Sequence, residues 1–159
     1  MSEPIETCLV VVTRTLEGRT HLALGEKLRG FGQGRMVVPG GKVDPGETPR
    51  RAAARELFEE TSLRVNDADL DARGVVTFAF PDGGGVDMRV HVFVTDAAAG
   101  EPKDSDELLV TWVPVDALPT SRMWPDNVHW LPAALAGGFD EATFTYAADG
   151  ATLASHTGI

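Results

Sequence analysis

Between Gly41 and Leu63 the chain reads GKVDPGETPRRAAARELFEETSL, and this stretch constrains the fold more than any other. Its first half is a loop: Gly40 and Gly41 precede Asp44-Pro45-Gly46, a turn signal in which glycine takes positive φ. Thr48 followed by Pro49 marks a helix start, with Thr as N-cap and Pro at the first helical position. No breaker follows until about Thr61, and Ala52, Ala53, Ala54 and Leu57 favour helix. At about 100° per residue, Ala54, Leu57, Phe58 and Thr61 fall on one side and are expected to pack on a core. Glu56, Glu59 and Glu60 share an arc of roughly 100° on the other.

As helix design alone, the charge order is poor. Arg50 and Arg51 occupy the first turn, where the dipole favours anions, and Glu59 and Glu60 the last, where it favours cations. Arg51/Arg55 and Glu56/Glu60 are like-charge pairs at i,i+4, each unfavourable by about 0.2–0.5 kcal/mol. Three carboxylates converging from one turn repel one another unless a cation sits among them. An all-oxygen set suits a hard ion such as Mg²⁺ or Mn²⁺ rather than zinc.

Gly41, Glu47, Arg55, Glu56, Leu57, Glu59, Glu60 and Leu63 stand in register with a known pattern: Gly, five residues, Glu, seven residues, Arg-Glu-apolar-any-Glu-Glu-any-Gly-apolar. This is the Nudix box, and the chain resembles that family. One position departs, Ser62, where the pattern has the Gly that ends the helix with positive φ. A left-handed serine there costs about 1–2 kcal/mol unless the helix ends differently.

The rest of the chain narrows the class. Its 159 residues suit one domain, 1–159, with a real core. A single cysteine, Cys8, excludes an internal disulfide and a multi-cysteine metal site. The opening MSEPIET lacks a basic region followed by an apolar run, and no apolar run is long enough to span a membrane, so a cytoplasmic protein is expected. The net charge of −10 argues against a nucleic-acid polymer as partner. Lys27, Arg29, Arg35, Lys42, Arg50, Arg51 and Arg55 nevertheless put seven of the 14 basic residues around the box, which favours an anionic small molecule.

Taken in order, Thr7–Thr13 and His21–Gly25 read as a hairpin turning at Glu17-Gly18, followed by a basic, Gly-rich loop from Lys27 to Arg35. That loop is no Rossmann fingerprint, and Gly40-Gly41-Lys42-Val43 is no P-loop. Met36–Val38 is a short strand. Gly74–Phe80 and Met88–Asp96 read as a second hairpin, with Met88, Val90, Val92 and Val94 on one face and Arg89, His91 and Phe93 on the other. His91 reads as a structural strand residue. Glu107 opens a strand from Leu108 to Val113, a position from which it can reach a metal. Trp124-Pro125-Asp126-Asn127 introduces a second helix over Val128–Leu135, and Phe139–Ala147 with Ala151–His156 form a last hairpin on Asp149-Gly150. Strands before, between and after two helices suggest a mixed sheet covered by helices. The resemblance implies the same α/β class, a Nudix-type α/β/α sandwich with a mixed central sheet.

Outside the box, Gly30-Phe-Gly-Gln-Gly-Arg35, Met88-Arg-Val-His-Val-Phe93, Ser105-Asp-Glu107 and Met123-Trp-Pro-Asp126 with Trp130 resemble the MutT-type oxidised-purine nucleoside triphosphatases. The resemblance implies metal-assisted attack of water on a phosphorus of the diphosphate linkage, releasing a nucleoside monophosphate and pyrophosphate. It further implies Mg²⁺ (or Mn²⁺) on Glu56, Glu59, Glu60 and the Gly40 carbonyl, with Glu107 as a further ligand. For the general base the resemblance implies one of these carboxylates, Glu56 as the first choice and Glu59 and Glu107 next. Arg55 pairs with Glu47, and Lys27 faces the triphosphate or sugar. Phe31, Phe78, Met88, Trp124 and Trp130 wall the base. Where that branch has an Asn after Gly-Arg-Trp to read the purine edge, this chain has Gly-Arg-Met followed by Val37. Where it has paired aspartates after Trp-Pro, this chain has Asp126 and Asn127, the latter offering a donor and an acceptor without needing a proton. Two alternatives stay open: hydrolysis of another nucleotide or nucleoside diphosphate derivative, and a catalytically inactive nucleotide-binding regulatory domain.

Overall fold

The computed structural model of the chain describes residues 3–159. Strand β1 (Ile5–Leu16) is its spine, and β2 (Arg19–Lys27) folds back on it antiparallel. The two-residue turn between them, Glu17-Gly18, has φ of 52° and 75°, the sign at both positions that a type I′ turn requires. β3 (Met36–Val37) pairs with the end of β2, and β4 (Gly40–Lys42) pairs antiparallel with Thr7–Leu9 of β1. Beyond the box helix α1 (Pro49–Thr61) come β5 (Asp71–Ala79) and β6 (Met88–Thr95), an antiparallel pair. β6 lies parallel to β1 along Ile5–Val12. β7 (Leu108–Pro114) adds to β2, α2 (Asn127–Ala136) follows, and β8 (Glu141–Tyr146) joins β5 in parallel before β9 (Leu153–Thr157) closes the edge. The sheet is mixed, as expected.

Alternation along β1 sends its side chains into two cores. Cys8, Val10 and Val12 pack with Ala52, Ala53, Leu57 and Leu63 under α1. Leu9 and Val11 pack with Val90, Val92, Trp130, Leu131 and Phe144 under α2. The two helices therefore cover opposite faces. No helix among the described residues is long and apolar enough to cross a membrane.

Helix α1 starts as its sequence dictates. Thr48 is extended (φ −77°, ψ 153°), its hydroxyl accepts from the Arg51 N–H, and Pro49 is the first helical residue. Its buried face differs from the expected one. Phe58 is 41% exposed, with the Arg64 guanidinium 4.4 Å from its ring centre, while Ala52 and Ala53 are buried. The buried residues Ala52, Ala53, Leu57 and Thr61 span an arc about 180° wide that also holds the half-buried Glu56 and Glu60, and Phe58 lies roughly 160° from its centre at Glu60. Glu56 and Glu60 thus lie inside the buried arc rather than opposite it, and the cavity they line replaces solvent.

Ser62 does take the left-handed conformation, φ 65°, and its N–H donates to the Phe58 carbonyl at 2.8 Å. The last turn is also tied by the Thr61 hydroxyl, which donates to the Leu57 carbonyl at 2.6 Å and accepts from the Leu63 N–H at 3.1 Å. Ser62→Gly removes the Cβ strain but loosens the unfolded chain, so a net gain of about 0.5–1 kcal/mol is expected. That is a rise in Tm of about 1–4 °C. A thermal melt showing a lower Tm would mean that the serine is not strained.

Candidate active site

Arg55 organises the box. Its Nε and Nη2 donate to the two oxygens of Glu47, each at 2.8 Å, and Nη2 also donates to the Lys42 carbonyl at 3.1 Å. This bidentate pair fixes the loop after β4 against α1. The same guanidinium turns Nη1 to Glu56 (3.0 Å) and Glu59 (3.3 Å). The cation among the crowded carboxylates is therefore Arg55. Among the described residues no ready-made cage of three or more metal-ligating side chains exists, because the glutamates are directed to Arg55 and to the main chain. The Arg55 hydrogen bond, followed by the Asp44 N–H, holds the Glu47 carboxyl down at about 2.

A group whose folded pKa is depressed stabilises the fold above its ordinary value, 4.5 here, and loses that contribution as pH falls toward 2. Glu47→Gln is accordingly expected to lower Tm by a few degrees at neutral pH, to match the parent near pH 2, and to leave metal affinity unchanged. A large loss of metal affinity at unchanged Tm would place Glu47 among the ligands instead.

Glu60 reaches across to β4, where its Oε1 accepts the Gly40 N–H at 2.9 Å. Burial pushes its carboxyl up to about 7, with the Gly40 hydrogen bond opposing. Burial also raises Glu56, against the pull of Arg55. Gly41 makes room for this arrangement, since a Cβ there would strike the Glu56 carboxylate. It is the Gly40 N–H, not its carbonyl, that has a side-chain partner. Beneath β4, the Cys8 thiol contacts the Gly41 carbonyl at 3.5 Å, and burial pushes it up to about 11, too high for a thiolate nucleophile. Glu107 stands across the cavity, its Oε1 accepting from Arg29 Nε (3.0 Å) and Nη2 (2.6 Å), which lowers its pKa.

One cavity of about 830 Å³ joins these carboxylates to an aromatic chamber. Glu56, Glu59, Glu60, Glu107 and Lys27 line one part, and Phe31, Val37, Phe78, Met88, Trp124, Asp126, Asn127 and Trp130 the other. Trp124 stacks on Phe31 with ring centres 5.1 Å apart and carries the Arg35 guanidinium 3.9 Å from its own. His91 pairs with Glu6 at 2.8 Å and does not line the cavity, in keeping with a structural role.

Two expectations need correcting. Of the seven basic residues around the box, only Lys27 and Lys42 line the cavity. The arginines are spent on structure: Arg29 on Glu107, Arg35 on the Met123 carbonyl and Trp124, Arg50 on the Asp67 and Leu70 carbonyls, Arg51 on Asp67, and Arg55 on the box. The Asn127 amide hydrogens are also committed, to the Trp124 carbonyl (3.1 Å) and Asp126 Oδ2 (3.3 Å), so no free donor remains there. Sequence reasoning missed Phe80 and Tyr146, which also line the cavity. The period-two burial of Ala142, Phe144 and Tyr146 marks Tyr146 only as core; its need for a polar partner was the available signal.

The model of the NUDIX domain matches residues 6–134, most of the chain. The chain belongs to the Nudix family. It is 45% identical over 115 residues to the oxidized purine nucleoside triphosphate hydrolase of Danio rerio, covering 72% of each chain. It is 42% identical to the protein of that name from Mus musculus, again over 72% of each. The fold matches the mutator MutT protein of Bacillus halodurans with a TM-score of 0.80, at 24% identity over 96% of each chain. Nudix hydrolases in general depend on divalent metal ions. The donors present here fit such an ion: they are all oxygen, and the half-buried Glu60, raised to about 7, is the kind of carboxylate that a cation would stabilise in ionised form.

Proposed function

We propose that this Nudix protein hydrolyses oxidised purine nucleoside triphosphates, such as 8-oxo-dGTP, to the nucleoside monophosphate and pyrophosphate. The observation that carries this reading is the continuity of the cavity, with carboxylates at one part and a stacked aromatic chamber at the other. The names of the relatives from Danio rerio and Mus musculus point the same way.

Glu56, Glu59 and Glu60, with the Gly40 carbonyl and Glu107, are the groups that would hold Mg²⁺ or Mn²⁺. When bound, such an ion polarises phosphoryl oxygens and lowers the pKa of water. Lys27 faces the triphosphate and offsets part of its charge. Water adds to a phosphorus of the diphosphate linkage, the bridging P–O bond breaks toward pyrophosphate, and the water proton passes to a carboxylate. Glu56 is assigned that proton: it lines the cavity beside the other carboxylates, and burial raises its carboxyl, which makes it a stronger proton acceptor. Arg55 keeps Glu56 and Glu59 oriented. Phe31, Phe78, Met88, Trp124 and Trp130 enclose the base, beside Val37, Asp126 and Asn127.

The deciding measurement is pyrophosphate release with Mg²⁺ from 8-oxo-dGTP, 2-oxo-dATP, dGTP and dATP, beside phosphate release from ADP-ribose coupled to phosphatase. Cleavage of ADP-ribose with no pyrophosphate from any triphosphate would sink the proposal. A fully inactive, nucleotide-binding protein would favour a regulatory domain.

A further inference from the structure

In the aromatic chamber lies a buried polar group that the chemistry above does not use. Asp126 is 3% exposed and precedes α2 without capping it. Its carboxylate instead receives three side-chain donors: the Tyr146 hydroxyl on Oδ1, and on Oδ2 both Trp130 Nε1 at 2.7 Å and Asn127 Nδ2 at 3.3 Å. Tyr146 is 2% exposed, stacks on Phe80 with ring centres 5.4 Å apart, and stands edge-on to Trp124 at 6.0 Å. Its ring is thus fixed, and it lines the cavity.

A tyrosine hydroxyl has one hydrogen to donate and lone pairs to accept with. Asp126 takes the hydrogen, and among the described residues nothing donates to the hydroxyl oxygen. The Tyr146 hydroxyl donates its hydrogen to Oδ1, which leaves the lone pairs of its oxygen for a ligand in the chamber that Tyr146 lines. Burial of an acceptor without a partner is costly, so the site discriminates in favour of a ligand that donates to it.

We infer that Tyr146 is a specificity-determining residue, its hydroxyl oriented by Asp126 to accept a hydrogen bond from the N7–H that oxidation at C8 creates on a purine. In the unoxidised base N7 is itself an acceptor, and two lone pairs would then face each other. The inference rests on the nucleotide reading above and adds to it a group that reads oxidation directly.

The test compares the affinities of 8-oxo-dGMP and dGMP, which bind without turnover, for the parent and for Tyr146→Phe. The substitution keeps the ring on Phe80 and removes only the hydroxyl. Binding of 8-oxo-dGMP weakens at least about fivefold and that of dGMP less than about twofold; with 8-oxo-dGTP, KM rises while kcat holds. Equal weakening of both nucleotides, or no change in either, overturns the assignment, since a merely structural role moves both alike. Should the variant not fold, the parent decides with 8-oxo-dGMP methylated at N7. Binding as tight as that of 8-oxo-dGMP overturns the inference, and loss of the preference over dGMP supports it. If the parent binds neither 8-oxo-dGMP nor dGMP, the nucleotide reading itself falls, a failure seen before any variant is made.

Discussion

Replacing Glu60 by Gln is expected to lower turnover at least about a hundredfold at saturating Mg²⁺, given what metal activation supplies. The fold should survive. The side-chain amide of the variant keeps an oxygen for the Gly40 N–H and removes a charge from the middle of the buried arc of α1. A carboxyl whose folded pKa is raised, here to about 7 by burial, costs stability when ionised. That cost is present above about pH 7 and vanishes as pH falls below the ordinary 4.5. Metal-free Glu60→Gln is therefore more stable than the parent at about pH 8, and the two converge near pH 4. Added Mg²⁺ should raise Tm in the parent by mass action and much less in the variant. Near-normal turnover in a folded variant, or an equal Mg²⁺-dependent rise in Tm for both proteins, would remove Glu60 from the proposed metal set.

The second large effect belongs to Val37, which lines the cavity beside β4 with a side chain that neither donates nor accepts. An apolar wall discriminates weakly between bases, and a hydrogen-bonding one strongly. Val37→Asn is expected to sharpen the preference for 8-oxo-dGTP over dGTP by roughly 5- to 150-fold, the worth of one buried hydrogen bond. The measurement is kcat/KM for 8-oxo-dGTP, dGTP and 2-oxo-dATP in both proteins. An unmoved ratio, or a parent that already separates the first two by more than about 10⁴, would show that the base is read without this wall. With the Asn127 hydrogens taken by the Trp124 carbonyl and Asp126, Val37 is a lining position from which a new donor can reach the chamber.

The box was legible because its signals are local. A Thr-Pro start, an alanine-rich run and glutamates at fixed offsets specify α1 without help from elsewhere. What stayed hidden depends on partners distant in the chain. Gly40–Lys42 has no strand propensity and becomes β4 because Thr7–Leu9 offers it an edge. The parallel alignments of β1 with β6 and of β5 with β8 leave no turn signal to read. The inward turn of Glu56 and Glu60 was misread because apolarity alone was used to centre the helix face, and a cavity tolerates carboxylates where a packed core does not. Likewise, the arginines around the box read as a surface for an anionic small molecule, and their acidic and carbonyl partners show them spent on structure.

The two parts of the cavity are walled by different materials, and this sets what mutation can change. Around the carboxylates part of the wall is glycine main chain. A Cβ at Gly40 would strike the Cys8 carbonyl, and one at Gly41 the Glu56 carboxylate. Around the chamber the wall is side chains such as Phe31, Val37, Phe78 and Met88, each exchangeable for another shape. Point substitution can therefore redraw what is recognised while the reacting geometry stays fixed. Such a scaffold diversifies by trading substrates, one residue at a time, around glycines whose replacement the neighbouring atoms resist.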